Sequence, residues 1–434
     1  MQWTYPRAAT RLALKLIVLA TMTMAHVASA QPATMADSET PTPDLNALVH
    51  EATVRNPSVI AAMDRWQALK RVPLRARTLP DPQIQLQEFT VGSPKPAAGY
   101  ENSDFYYTGF GASQDIPFPG KLRLAGEIAE KDAEIARRQY ETAQREAAEK
   151  VREDYFELFY LGKTITLLEA GQNDLTQIGQ IAEDHYRVGQ AQAQDVLKAQ
   201  LEATRMLDMI EHHHREMQQR QIDLKAALGR DLDSANIVIA NLEPTRVDLA
   251  EDQIAGFTAS ASSDIQLDLA MEARSEKALN LARKGYDPDL SLGYSYEKTG
   301  PGLRDYYMLT LGLKIPLYFW RKQTPAIEQA ELDLAAARSQ TRARKLDVGA
   351  AAEDQLVAIR TSERVLKLYQ QGLIPQAENS MQAALSAYRV SKADFQTLIS
   401  AFADARSLKE EYYRELADHE IAVAKLEQIV GDLK

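Results

Sequence analysis

The chain has 434 residues, of which 45% are hydrophobic, and its formal net charge at pH 7 is -11. It contains no cysteine, which excludes disulfide bonds, thiolate metal sites and an acylated N-terminal cysteine. Its acidic balance argues against a nucleic-acid partner, because nucleic-acid-binding proteins present basic surfaces to phosphate.

The N-terminal residues have the composition of a secretory signal. Basic residues without any acidic residue precede an apolar run, which ends in small residues before Gln31. This run is shorter than the roughly 20 residues that span a bilayer as a helix. We therefore predict a signal peptide at residues 1–30 and a flexible, Pro- and Thr-rich leader at residues 31–44. No later stretch is apolar enough for a spanning helix, so any membrane part must consist of strands.

After the leader, one order of elements occurs twice. Helical segments, strand pairs and long helical hairpins follow one another in each copy, and short segments such as Tyr186-Arg187-Val188-Gly189 and Tyr388-Arg389-Val390-Ser391 match between the copies. The predicted helical segments are residues 45–80 and 245–285, the strand pairs 81–117 and 287–317, and the helical hairpins 121–229 and 322–431, with tips near 187–192 and 389–394.

The second strand pair is the clearer one. Leu309, Leu311 and Leu313 alternate with small or polar residues over about ten positions, which is the pattern of a transmembrane strand. In the first pair, Glu88 falls on the face predicted to meet lipid, and glycines interrupt the second strand. For any single hairpin taken by itself, a soluble sheet with one buried face would be the preferred interpretation, and the residues that follow the second strand pair argue against it.

Aromatic residues follow the best strand directly. Tyr318, Phe319 and Trp320 precede two basic residues, which suits a girdle at a membrane surface. Four spanning strands cannot close a barrel by themselves, because open edges leave backbone groups unpaired in hydrocarbon. Several chains must then share one barrel. Three chains with twelve strands are a sensible minimum for a conduit, although strand counting does not fix this number.

The long helices exceed an ordinary globular domain. Residues 121–187 contain no proline, and a helix of this length extends about 100 Å. Apolar residues recur at helical spacing, which helix-on-helix packing requires and which a simple antiparallel coiled coil would also show. In the second copy Pro375 falls inside the corresponding stretch, where we expect the helix to bend.

The order of several weak motifs resembles the TolC family of outer-membrane efflux channels. The motifs are Leu79-Pro80-Asp81-Pro82, Ile116-Pro117-Phe118-Pro119-Gly120-Lys121 and Tyr186-Arg187-Val188-Gly189 with Asp195-Val196-Leu197. The resemblance implies a mainly α chain with a transmembrane β part, and a homotrimer that combines a twelve-stranded barrel with a periplasmic α-helical barrel. It also implies a passive duct in the outer membrane of a Gram-negative bacterium. Such a duct docks with a periplasmic adaptor and an inner-membrane pump to export small molecules or metal ions.

Details of the motifs suggest more specific roles. The Pro-Phe-Pro-Gly-Lys form most resembles members that serve heavy-metal exporters of the resistance-nodulation-division type. The resemblance makes the hairpin tips candidate adaptor contacts: Val188, Gly189, Gln190, Ala191, Val390, Ser391, Lys392 and Ala393. It also makes Tyr388 and Asp195 a candidate polar latch of the closed aperture. Since glycine adopts positive φ more freely than serine, the tips at Gly189 and Ser391 should differ.

Other sites fail on inspection. Consecutive histidines at 212–214 point about 100° apart on a helix and cannot converge on one metal. Acidic positions that line the aperture in some relatives fall on Thr397 and Ser400, which argues against an acidic ring. No catalytic motif and no cofactor site occurs, so we predict that the protein is not an enzyme. The alternative function is a soluble periplasmic coiled-coil adaptor or scaffold without a barrel.

Overall fold

The computed structural model describes residues 44–90, 92–99, 106–247 and 262–430. The predicted signal peptide, and the predicted leader except for Asp44, lie outside these residues. The described chain is mainly helical and includes one four-stranded antiparallel sheet. The predicted fold class of the single chain, with its internal duplication, is confirmed.

Three short helices precede the first strand: α1 (Leu45–Arg55), α2 (Pro57–Leu69) and α3 (Val72–Arg77). Asn56 separates the first two helices. Its side chain accepts a hydrogen bond from Ser58 N at 2.8 Å and donates one to Ala227 O at 2.8 Å. The same residue therefore caps α2 and fastens the short helices to the first long hairpin.

The first long hairpin consists of α4 (Lys121–Arg187) and α5 (Ala193–Leu228). The helix α4 has 67 residues, and its bounds agree with the proline-free stretch in the sequence. Its buried side chains include alanines along with large apolar residues, because the helices on either side of it approach closely.

The second hairpin is interrupted. It begins with α7 (Gln323–Leu368), passes through a π-helical turn at Tyr369–Leu373, and continues as α8 (Ile374–Arg389) before the returning helix α9 (Phe395–Val430). Pro375 is the second residue of α8, and it has no amide hydrogen to donate to the preceding turn. The wider π-helical turn lies just before Pro375, the residue at which we expected the helix to bend. The intervening helix α6 (Ser263–Arg283) and a short 3-10 turn lead into the second strand pair.

The four strands form one antiparallel sheet in the order β1-β2-β3-β4. Their bounds are β1 (Gln83–Phe89), β2 (Tyr107–Ile116), β3 (Asp289–Thr299) and β4 (Tyr306–Lys314). Strands β2 and β3 pair with one another, so the two copies of the repeat share the central ladder. The ladder of β4 ends before Pro316, which cannot donate to it, and β1 and β4 are left as the two sheet edges.

The pairing register separates the two faces of the sheet. Side chains of one face are largely apolar, as in the row Ile84, Ala112, Tyr294 and Leu309, which lie opposite one another across the four strands. The other face is largely small or polar, as in the adjacent row Gln85, Gly111, Ser295 and Met308. The alternation of apolar with small or polar residues along the sequence therefore gives the sheet one apolar and one polar face.

Apolar side chains between the helices form separate clusters. One cluster joins α1, α4, α5 and α9 around Tyr155, Leu224 and Leu228, and another lies close to the tips around Leu175, Leu398 and Phe402. Small residues at Ala129, Ala133 and Ala136 are buried along α4. Within the described ranges, no helix combines the length and the apolar character that crossing a bilayer requires.

Candidate functional site: the exposed sheet face and the helical tips

The apolar face of the sheet is exposed. Leu86, Leu309 and Leu311 expose 88%, 72% and 74% of their surface, although each lies within a regular strand. A soluble sheet would bury such a face, because apolar surface is stabilised by its removal from water. The interpretation as a soluble sheet requires one buried apolar face, and the sheet that the structure describes has none.

The predicted girdle residues lie where β4 gives way to α7. The Phe319 and Trp320 rings are 5.2 Å apart, and the Tyr318 and Trp320 rings are 6.1 Å apart. All three side chains are about half exposed or more, with Phe319 the least exposed at 47%. They form an aromatic group at one end of the exposed sheet face.

The structure explains the two features of the first strand pair, a charged residue and interrupting glycines, that did not fit a membrane strand. Glu88 lies close to the end of β1, and its Oε1 atom accepts a hydrogen bond from Ala97 N at 2.6 Å in the loop that follows. Gly109 is required because a Cβ atom there would lie 2.2 Å from Tyr296 O on the neighbouring strand. The Glu88 carboxylate, which did not fit a lipid-facing strand, therefore has a hydrogen-bond donor. Gly109 allows β2 and β3 to approach each other closely.

The tip of the first hairpin is a Schellman turn. Gly189 has a φ of 74°, its amide donates to Tyr186 O at 3.0 Å, and Gln190 N donates to His185 O at 2.8 Å. Val188 exposes 68% of its surface, and Ala191 is partly exposed. The turn ends α4 and directs the chain into α5.

The second tip has the same geometry. Ser391 has a φ of 57°, its amide donates to Tyr388 O at 2.9 Å, and Lys392 N donates to Ala387 O at 2.8 Å. The expectation that Ser391 would make this tip different is corrected for the backbone. The two hydrogen bonds hold the serine in the left-handed region, at a cost of about 1 kcal/mol for a residue with a Cβ atom.

Side chains connect the two tips. The Ser391 hydroxyl donates to Gln190 Oε1 at 3.1 Å, and Lys198 Nζ donates to Gln396 Oε1. The predicted contact residues Val390 and Lys392 are exposed, while Ala393 is partly exposed. The predicted tip residues thus lie together at one end of the helical part.

The proposed latch partners do not bond directly in the single chain. Tyr388 is buried between the rings of His185 and Phe395, and among the described residues its hydroxyl has no hydrogen-bond partner. Asp195 Oδ2 instead accepts from Gln192 N at 3.3 Å, as part of a capping box. Burial, and then the charge of Asp195, raise the pKa of the Tyr388 hydroxyl. The Asp195 charge therefore contributes to the raised pKa of Tyr388, although no hydrogen bond joins the two side chains.

Thr397 and Ser400 are both exposed on α9, close to the second tip. Thr397 N donates to Asp394 Oδ1 at 2.7 Å, and hydrogen bonds from Thr397 lower the pKa of the Asp394 carboxyl. The acidic residue in this region thus caps a helix.

A polar junction that no sequence pattern predicted joins the two copies of the repeat. Lys121 Nζ donates to Asp287 O at 2.8 Å and to Asp289 Oδ1 at 2.7 Å, and the latter atom also accepts from Phe118 N at 2.8 Å. Lys284 completes the group through Asp287 Oδ2 at 2.9 Å. The Pro-Phe-Pro-Gly-Lys motif and the repeated Asp-Pro motif were the available signal, but only the pairing of β2 with β3 brings them together.

Two of the three consecutive histidines at 212–214 contact a neighbouring carboxylate. His212 and His213 both approach the Glu216 carboxylate, at 3.1 and 2.9 Å. Across the described residues, no group of three or more His, Cys, Asp or Glu side chains could hold a metal ion.

A match to a protein-family profile identifies the class of protein to which the chain belongs. The sequence profile of the outer membrane efflux protein family matches residues 48–230 and 259–432. The chain belongs to this family, which confirms the resemblance to the TolC channels. It is an outer-membrane protein whose long helices lie on the periplasmic side.

Solved structures agree with this fold. The outer-membrane channel OprN matches with a TM-score of 0.77 at 14% identity, covering 89% of each chain. VceC from Vibrio cholerae matches at 0.75 and 17% identity, covering 89% of this chain and 96% of that one. CmeC from Campylobacter jejuni matches at 0.77 and 15% identity, covering 89% and 85%. No curated protein sequence matches the chain.

Proposed function

We propose that three copies of the chain close one twelve-stranded barrel in the outer membrane and continue it as an α-helical barrel, forming a passive duct for export. The observation that carries this proposal is the exposed apolar sheet face together with two open sheet edges. Each unpaired backbone group in hydrocarbon costs several kcal/mol, so one sheet of four strands cannot span a membrane alone.

The helical part supports the same assembly. Leu332, Leu346, Val357 and Leu368 on α7 expose between 56% and 71% of their surface. Their spacings of fourteen and eleven residues place them on one helix face, because both are close to whole numbers of turns. An apolar stripe of this kind suits packing against a helix of a neighbouring copy.

The partners in this proposal are a periplasmic adaptor and an inner-membrane pump of the resistance-nodulation-division type. The cargo is small molecules or metal ions, and the pump supplies the energy. The exposed, linked tips support adaptor docking, because Val188 and Val390 present apolar surface at the end of the helical part. The proposed latch of Tyr388 and Asp195 lies directly behind these tips.

Reconstitution tests the channel. We expect the protein to require detergent for extraction, to have the native mass of a trimer, and to conduct ions in planar bilayers. Recovery of the folded protein in the soluble periplasm without detergent would instead support the coiled-coil adaptor or scaffold alternative.

Substitution at the tips tests docking. Val188→Asp combined with Val390→Asp should abolish resistance to a panel of drugs and metal salts in cells that depend on this duct, while outer-membrane amount and bilayer conductance stay unchanged. Val54→Asp is the matched control, since Val54 is similarly exposed at 58% but lies on α1. Retained resistance with both tips altered would refute adaptor docking at these residues.

A further inference from the structure

The polar junction formed by Lys121, Asp287 and Asp289 joins the two copies of the repeat within the chain. Residues that correspond to part of it lie at the two open edges of the sheet. The Asp-Pro pairs that precede β1 and β3, Asp81-Pro82 and Asp287-Pro288, align the two hairpins. In this alignment the cross-strand pair Ile84 with Ala112 corresponds to the pair Leu290 with Leu313. Asp81 and Asp287 each lie three residues before the first member of these pairs. Lys121 and Lys322 each lie nine residues after the second member. Asp81 thus corresponds to Asp287, and Lys322 corresponds to Lys121.

The corresponding residues have no ion-pair partner within the part of the chain that the structure describes. Lys121 exposes only 16% of its side chain because it is engaged with Asp289. Lys322 and Asp81 are both exposed, and neither forms an ion pair with any described residue. They lie by the two opposite edges of the sheet, β4 and β1, so one chain cannot bring them together as it brings Lys121 to Asp287.

Charge also favours this pairing. Within the chain, the Asp287 carboxylate is neutralised by Lys284, three residues earlier. The residue three positions before Asp81 is Thr78, which carries no charge. The Asp81 carboxylate is therefore left without the local cation that its counterpart has, and Lys322 can supply one.

We propose that neighbouring copies join through this junction, with Lys322 of one copy lying beside Asp81 of the next. Within the chain Lys121 lies beside Asp287 in this way, where its ammonium donates to the Asp287 backbone oxygen and to the Asp289 carboxylate. Gln83 takes the place of Asp289 in the edge copy, so the Asp81 carboxylate is the charge left for Lys322 to pair with. The inference rests on the proposed closure of several copies into one barrel. It assigns the partner of each open edge as the other edge of a second copy and fixes the alignment of the two copies.

The same superposition also places the apolar residues that follow β4, beyond its last residue Lys314, against β1 of the neighbouring copy. Within the chain, Ile116 lies opposite Leu290. The superposition of hairpins converts this pair into Leu317 opposite Ile84 of the neighbouring copy, and the next outward pair becomes Ile315 opposite Leu86. Three of these four side chains expose more than 60% of their surface, and Ile315 exposes 55%. The alignment that joins Lys322 to Asp81 therefore also places apolar residues opposite apolar residues.

Cross-linking between copies tests the junction. The chain has no natural cysteine, so Asp81→Cys combined with Lys322→Cys introduces the only two thiols. A short bismaleimide should convert this variant into covalent dimers and trimers on denaturing gels, whereas either single variant stays monomeric. The matched control is Lys121→Cys with Asp287→Cys, which should react within one chain and give no species of higher mass.

The outcomes separate the junction from the assembly. A native trimer in which the Asp81 and Lys322 positions do not cross-link would overturn the junction and leave the proposed channel intact. A monomeric protein in detergent would overturn both. In addition, Lys322→Glu should lower the temperature at which the trimer dissociates, and adding Asp81→Lys should restore at least half of that shift. Failure of this reversal to restore the trimer would count against direct contact.

Discussion

At the scale of single residues, the Tyr388 hydroxyl is buried without a partner among the described residues. Leaving such a group unpaired costs about 1–3 kcal/mol, so a state in which it is bonded gains stability. The charge of Asp195 already contributes to the raised pKa of this hydroxyl, after the larger effect of burial. In the proposed latch, the Asp195 carboxylate leaves its capping role and becomes the acceptor for this hydroxyl.

We expect Asp195→Ala combined with Tyr388→Phe to raise single-channel conductance in planar bilayers, because no hydroxyl and carboxylate then remain to hold the helix pairs. Tyr369 and Glu411 provide the control, since the Tyr369 hydroxyl donates to Glu411 Oε2 at 2.9 Å on the same hairpin but away from the tip. Tyr369→Phe with Glu411→Ala should leave conductance unchanged. Equal conductance for wild type and the tip variant would contradict the latch.

Two glycines should respond to the same substitution with opposite sign. Gly189 has positive φ, and an added Cβ atom would meet nothing within 4 Å, so Gly189→Ala should lower stability by about 1 kcal/mol through backbone strain alone. Gly349 is helical, with equally open space, so Gly349→Ala should raise stability by about 1 kcal/mol. Apparent melting temperatures at one scan rate would check both signs. A stabilised Gly189→Ala variant would show that the left-handed turn is not retained.

At the scale of elements, ion pairs hold the short helices to the long hairpin. The Glu51 carboxylate on α1 accepts hydrogen bonds from Arg230 at 2.9 and 2.6 Å, just beyond the end of α5. The Arg230 hydrogen bond is the largest effect on the Glu51 pKa, which it lowers below the ordinary value of 4.5. A lowered carboxyl pKa contributes stability that is present above pH 4.5 and is lost as pH falls through the lowered value.

Glu51→Gln should therefore reduce the melting temperature at pH 7, by an amount that shrinks as the pH is lowered below 4.5. Melting curves of wild type and variant between neutral and acidic pH measure this difference. Glu169→Gln is the control, because Glu169 is exposed and forms no ion pair with the described residues. A difference that stays constant with pH would mean that Glu51 stabilises α1 without its charge.

Elements defined by local pattern were predictable from the sequence, and long-range contacts were not. The bounds of α4 follow from a proline-free stretch that begins after Gly120, and the alternation around Leu311 gives the faces of β4. The left-handed φ of Ser391 is set by the hydrogen bonds of the helix end, so residue preference alone pointed the wrong way. Lys121 and Asp289 meet only because β2 pairs with β3, and no local spacing encodes that pairing.

At the scale of the whole molecule, the chain carries surfaces that it cannot satisfy alone. The sheet has an exposed apolar face and two open edges, and α7 carries an exposed apolar stripe. These surfaces lie on both the strand and the helical parts of the repeat. The proposed assembly of copies would account for all of them, with lipid covering the sheet face and neighbouring copies covering the edges and the stripe.

Adjacent residues of β4 separate the membrane interpretation from a soluble one. Leu311 lies on the apolar face, opposite Leu292, whereas Thr310 lies on the polar face, opposite Gly293. Leu311→Arg should prevent trimer formation in the outer-membrane fraction, because arginine at the lipid face costs about 2–4 kcal/mol at mid-membrane in each copy. Thr310→Arg should assemble normally and change ion selectivity in planar bilayers, because it adds a charge to the lumen. In a soluble protein the exposed Leu311 would tolerate arginine at least as well as Thr310 does, so equal yields of the two variants would contradict a lipid-facing sheet.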